Sequence, residues 1–174
     1  MPAVFETPRR HFLKEGEARR LLLDFSREFK VDAERFFGSK PQIELAEAQA
    51  AEVLLINEKP ILARLRGRLM PTLAFDELLS LLPKIVVDMG AVPHVCNGAD
   101  VMAPGVVRIH GDFNENGLIL VVDERHGKSL AIGIALFNSQ TMRSLKRGKV
   151  VKNVHYVGDK LWNSLKPLFS VKKV

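Results

Sequence analysis

The sequence predicts an α+β fold in two parts. Residues 1–83 read as an N-terminal α/β domain, and residues 84–174 read as a small β-barrel domain. Three observations lead there. The first part alternates an amphipathic helix with strand-like runs. The second part is dominated by short strands with glycine-rich turns between them. The charge also divides at the same point: residues 1–83 carry 13 basic and 13 acidic side chains, and residues 84–174 carry 13 and 7. The whole excess of 26 − 20 = +6 therefore lies in the second part. A chain of 174 residues is long enough for two small domains.

The elements of the first part follow from periodicity. Ala18, Leu22, Phe25 and Phe29 fall on one helical face within residues 15–29. Asp32 reads as the N-cap of a short helix that ends at Gly38. Residues 52–57 and 61–66 are apolar runs on either side of the turn-like Asn57-Glu58-Lys59-Pro60, so they predict a strand pair. Gln42 to Glu47 is a further strand candidate. Thr72 is expected to cap a helix through Leu82, with Leu78, Leu79 and Leu82 inward and Pro83 stopping it.

The second part opens with a β run at Ile85-Val86-Val87. Pro93 suits the first turn of a short helix, where the missing amide costs nothing, and Gly98 reads as its left-handed C-cap. Residues 101–109 are extended but broken at Pro104-Gly105. Residues 118–122 and 130–136 are two strong strands joined around Gly127. Ser139 is expected to cap a helix ending at Gly148. Val150 to Val157 is the last strand, and Asp159 caps a terminal helix carrying Leu161, Trp162 and Leu165.

Composition narrows the function. Hydrophobic residues make up 47% and charged residues 26%, the profile of a globular chain. No apolar run approaches the roughly 18 residues needed to cross a bilayer, so no membrane partner is expected. Met1 to Glu6 shows no secretory signal, and the single Cys96 can form neither an internal disulfide nor a thiolate zinc cage. The expected location is cytoplasmic. The sequence has no G-x-S-x-G, H-E-x-x-H or P-loop pattern, and none of its five histidines has metal-ligand spacing. His110 with Asp112 is the nearest approach to a polar pair and reads as surface. A non-enzyme with no cofactor and no metal is the expectation. A segment as basic as residues 84–174 attracts polyanions, of which RNA and DNA are the commonest.

Glycine placement carries the strongest signal. The stretch from Asn97 to Gly105 can turn sharply and expose amide donors to a phosphate or a base. On composition alone, a plain helix-to-strand turn is the better explanation. The wider run from Val87 to Val106, of pattern D-x-G-A-v-x-x-v-x-x-G-A-x-v-m-x-P-G, resembles the opening of a PUA domain. The ending from Asn153 to Trp162 is similar to the close of that domain in the subgroup of the malignant T-cell-amplified sequence proteins and ligatin, which has archaeal relatives. The likeness covers roughly residues 52–165, and the first 50 residues match only in kind.

This resemblance implies a pre-PUA α/β domain followed by a PUA pseudobarrel. It also implies a non-catalytic protein that binds tRNA or rRNA in translation. The small ribosomal subunit, in initiation or recycling, and a partner with an initiation-factor-like domain come with that implication. An accessory role in tRNA or rRNA modification is the alternative. The matching positions are Gly98, Ala99, Asp100, Val101, Met102, Pro104 and Gly105, with the strand around His155 and Tyr156 beside them. Val101 and Met102 are expected to offer apolar surface to a splayed base. Lys149 and Lys152, with Lys146 and Arg147 nearby, are expected to follow a phosphate backbone.

Overall fold

The computed structural model describes residues 8–49 and 51–169; the opening residues Met1 to Glu6 lie outside them. The described chain divides into two compact units. One runs up to Ala74 and takes in the residues from Asn163 on, and the other is Phe75–Trp162. No helix among the described residues is long and apolar enough to cross a membrane.

The first unit is a five-stranded antiparallel meander with two helices of its own and residues 163–169 of the chain's last helix. β1 (Arg10–Phe12), β2 (Ile43–Glu47), β3 (Glu52–Ile56), β4 (Lys59–Leu65) and β5 (Arg68–Pro71) lie in sequence order. α1 (Glu15–Phe29) and α2 (Ala33–Phe37) occupy the stretch between β1 and β2. α1 buries Leu21 and Phe25, so its inward face is centred on a Leu-Phe pair, with Ala18, Leu22 and Phe29 at its margins. The Phe25 ring stands 4.8 Å from that of Phe37, which joins the two helices, and 5.0 Å from that of Phe29 on its own helix. Asp32 caps α2 by accepting from the Glu34 amide at 3.0 Å, as expected. β4 and β5 are joined by Arg66-Gly67, both at positive φ (50° and 80°), a two-residue hairpin turn of the type favoured by strand twist.

Thr72 does not cap a helix. Its amide donates to the Ile61 carbonyl and its hydroxyl donates to the Pro60 carbonyl at 2.9 Å, so Thr72 prolongs the β4–β5 ladder. The helix shrinks to a single turn, α3 (Asp76–Leu79), which still buries Leu78 and Leu79. Leu82 and Pro83 lie beyond it.

The second unit is a curled six-stranded sheet. It contains β6 (Lys84–Val87), β7 (Val101–Met102), β8 (Val106–His110), β9 (Leu118–Asp123), β10 (Ser129–Ala135) and β11 (Lys149–Tyr156), in the order β7-β11-β10-β9-β6-β8. β6 runs parallel to β9, and the other pairs are antiparallel. β7 and β8 end opposite sides of this order, yet only a turn of 3₁₀ helix, Ala103–Gly105, separates them. The sheet must curl until its edges nearly meet, which is the predicted barrel. Inside it pack Ile85, Val87, Val95, Ile119, Val121 and Val151. α5 (Ser139–Ser144) is capped one residue earlier than expected and stops short of Gly148: Asn138 accepts from the Thr141 amide at 2.8 Å, while the Ser139 hydroxyl accepts from the Phe113 amide. α6 (Lys160–Phe169) begins where Asp159 accepts from the Trp162 amide at 2.7 Å.

Candidate nucleic-acid interface

The short helix α4 (Val92–Val95) carries Pro93 in its first turn, as read from sequence. It ends in a double hydrogen bond: the Ala99 amide donates to the His94 carbonyl, and the Gly98 amide donates to Val95. That arrangement requires positive φ at Gly98, and φ is +90°. A Cβ at Gly98 would sit 3.0–3.1 Å from the Tyr156 ring. Tyr156 thus stands against the glycine as part of the loop's packing.

The loop leaving α4 is fastened to β11 by two polar side chains. Asp100 Oδ1 accepts from the Asn153 amide at 2.8 Å, and Asp100 Oδ2 lies 2.8 Å from the Lys149 ammonium. The Asn153 side chain donates to the carbonyls of Val95 and Ala99 at 3.0 and 3.1 Å. Burial opposes ionisation of Asp100, but the hydrogen bonds from Lys149 and Asn153 and the charges of Lys149 and Lys152 prevail, so its carboxyl lies below the usual range. Gly105 closes the other side: its carbonyl accepts from the Asp88 amide, and a Cβ on it would meet Ala91 Cβ at 3.2 Å.

Between these walls lies a cleft of about 540 Å³, more apolar than polar. Ala99, Asp100, Val101, Met102, Pro104, Gly105 and Lys149 line it, seven residues singled out from sequence. Met102 is 48% exposed and offers apolar surface, as expected. Val101 does not: it is 2% exposed and packs into the barrel, because neighbours on a strand point to opposite faces. His155 is corrected in the same way. It is 0% exposed, with Nδ1 2.9 Å from Asp159 Oδ2, so its side chain presents no surface to a ligand. Lys152 is exposed on β11 but does not line the cleft.

The sequence reading missed Asp88, Ala91 and His94, which also line the cleft. All three belong to the very motif that carries the resemblance. Asp88 accepts from the Ala91 amide at 2.8 Å and so fixes the turn into α4. Among the described residues no group of three or more His, Cys, Asp or Glu could hold a metal ion. Cys96 is half-buried, and burial pushes its thiol pKa up, away from the thiolate that a nucleophile needs.

Two family models match the chain, one described as PUA domain over residues 83–157 and one described as domain of unknown function DUF1947 over residues 9–75. The second reaches well ahead of residue 52, where the sequence reading began its likeness. An uncharacterized protein of Methanocaldococcus jannaschii is 37% identical over 161 residues, 91% of this chain and 98% of that protein. Translation machinery-associated protein 20 of Saccharomyces cerevisiae is 30% identical over 128 residues, 64% of this chain and 71% of that protein. Among solved structures, a PUA domain from Aeropyrum pernix K1, in a tartrate complex, superposes with a TM-score of 0.79 at 26% identity over 91% of each chain.

Proposed function

We propose that this chain, which belongs to the family of PUA-domain proteins that includes translation machinery-associated protein 20 and malignant T-cell-amplified sequence 1, is a non-catalytic RNA-binding protein acting on tRNA or rRNA in translation. The observation that carries this reading is the cleft beside the glycine loop. It combines apolar surface at Met102 and Pro104 with the ammonium of Lys149, and Lys152 stands nearby on β11. An unstacked base suits the apolar wall, and the lysines suit the phosphates on either side of it. The place of action in this reading is the small ribosomal subunit in the cytoplasm, in initiation or recycling, with an initiation-factor-like protein as partner. Purification of the native protein followed by sequencing of its bound RNA tests the reading. Co-migration with free small subunits supports it. Co-purification with a modification enzyme instead moves the protein to that alternative, and recovery of neither RNA nor ribosomes at moderate salt defeats the reading.

The lysines provide a narrower test. Lys152→Ala removes one phosphate contact, and Lys149→Ala removes one together with the ion pair of Asp100. Each is expected to weaken all RNAs alike and to flatten the salt dependence of binding to single strands by about 0.7 per contact. Titration of two RNAs, one ending in single-stranded CCA, at several salt concentrations checks this. An unchanged slope in both variants moves the phosphate track off β11.

The domain boundary at Pro83 and the RNA grip within residues 84–174 are part of the same proposal. That piece is expected to keep measurable RNA affinity when produced alone. If it folds by circular dichroism and binds no RNA that the full chain binds, the grip lies elsewhere.

A further inference from the structure

The first unit holds an open cleft of about 570 Å³ between α1 and the β4–β5 hairpin. Arg27, Arg64, Arg66 and Arg68 line it, with Asp24 and Glu28. Four guanidinium groups against two carboxylates leave 4 − 2 = +2 here, within a stretch, residues 1–83, whose charges sum to zero. Arg68 lies 3.2 Å from Glu28 and Arg64 lies 3.7 Å from Glu52. These two are therefore held in place by neighbours. Arg27 and Arg66 have no ion pair among the described residues.

Arg66 is notable for its backbone as well. It occupies the first central position of the two-residue turn at φ +50°, where asparagine or glycine fits without strain. Such strain persists where the surrounding structure fixes it, and it gathers at ligand sites. The side chain gained by that strain is a guanidinium beside three others.

We infer that this cleft is a second RNA contact, taking phosphates of the RNA backbone. The inference rests on the RNA-binding reading above. Guanidinium groups offer paired donors that match phosphate oxygens, and they are weakly hydrated enough to exchange water for that partner. The cleft is lined mostly by charged side chains, with Leu69 its one apolar member, so it gives a base nothing to stack on and grips backbone without reading sequence.

The test uses the full chain and a single-stranded RNA, poly(U), at several salt concentrations. The variant is Arg27→Ala with Arg66→Asn, since asparagine suits the turn and keeps the hairpin intact. Its thermal unfolding midpoint is expected to stay at or above that of wild type. Its affinity is expected to fall on the order of tenfold near 0.1 M salt, and its salt slope to fall by about 1.4, two contacts' worth. Arg66→Lys, which keeps the charge, should keep the slope. If the double variant binds poly(U) as wild type does while Lys149→Ala binds less well, this inference fails and the RNA reading stands. If wild type binds no RNA, both fail. If a polyglutamate peptide binds wild type but not the double variant, and RNA binding is equal in the two, the cleft serves an acidic polypeptide and the inference is overturned.

Discussion

Gly98→Val is expected to destabilise the protein by about 2–6 kcal/mol, the sum of backbone strain at positive φ and overpacking against a neighbour. The first part follows from φ +90°, and the second from the Tyr156 ring at 3.0–3.1 Å from the new Cβ. For a unit of this size the unfolding midpoint should fall by roughly 10 °C or more. A second substitution separates the two parts: Tyr156→Ala in the Gly98→Val background removes the collision but leaves the strain, so stability should recover only in part. RNA binding should change in kind as well as strength. Displacing the loop moves Ala99, Asp100 and Met102 together, so preference among RNAs should disappear, whereas the lysine variants keep it. Calorimetry with binding to two RNAs decides the matter. A variant that melts like wild type and keeps its preference would reduce the loop to a turn and move the site elsewhere on the barrel.

Asp159→Ala is expected to cost about 3 kcal/mol, because one carboxylate serves three donors. Its oxygens accept from the Tyr156 amide at 3.0 Å and the Trp162 amide at 2.7 Å, and His155 Nδ1 lies 2.9 Å away in the interior. Loss of a helix cap alone removes about 1 kcal/mol, and an imidazole stripped of its buried partner adds a comparable or larger amount. The pH dependence has a definite sign. Burial disfavours the charged form of Asp159, but the hydrogen bond and charge of His155 and the two amides outweigh it, so the folded pKa lies below the ordinary value. A carboxyl with a lowered folded pKa stabilises above its unfolded pKa, near 3.9, and loses that contribution as pH falls through the folded value. Asp100 and Asp123 are shifted the same way, the latter by amides of the 125–128 turn despite its burial. Wild type should therefore hold its stability from neutral pH down to about 4 and lose it below. Asp159→Ala should be less stable at pH 7 and lose less of what remains on acidification. Thermal scans of both proteins from pH 7 to pH 3 measure it, and parallel curves would show that Asp159 does not titrate with folding.

What was legible in the sequence depended on whether a local signal controlled the outcome. The helix caps at Asp32 and Asp159 and the left-handed Gly98 were readable because each acts on amides within three residues. Thr72 and Ser139 carried the same local signal and were misread. Thr72 is claimed by Pro60 and Ile61, and Ser139 by Phe113, partners distant in sequence that outcompete a cap. β1 and β5 escaped notice because three or four residues at the margin of a sheet show no periodicity, and Arg68-Leu-Met-Pro71 looks like a turn before it looks like a strand. In the site, glycine and proline spacing made the turn from Ala99 to Gly105 legible, and the resemblance to the PUA motif gave it a place in a site. The exposure of its members was not. Val101 and His155 fell inward because strand alternation fixes sides only relative to a register, and the register of β7 on β11 depends on Asp100 and Asn153 meeting across the sheet.

The barrel's closing strand has a consequence for the order of events when the chain is made. β7 pairs with β11, and the glycine loop is held by Lys149 and Asn153, some fifty residues further along. A ribosome adds residues from the N-terminus at roughly 5–20 per second. Several seconds therefore pass during which the loop exists without the strand that shapes it. The cleft cannot be completed until residues 149–156 have emerged, so a chain that stops ahead of residue 149 carries the motif but lacks the strand that holds the loop.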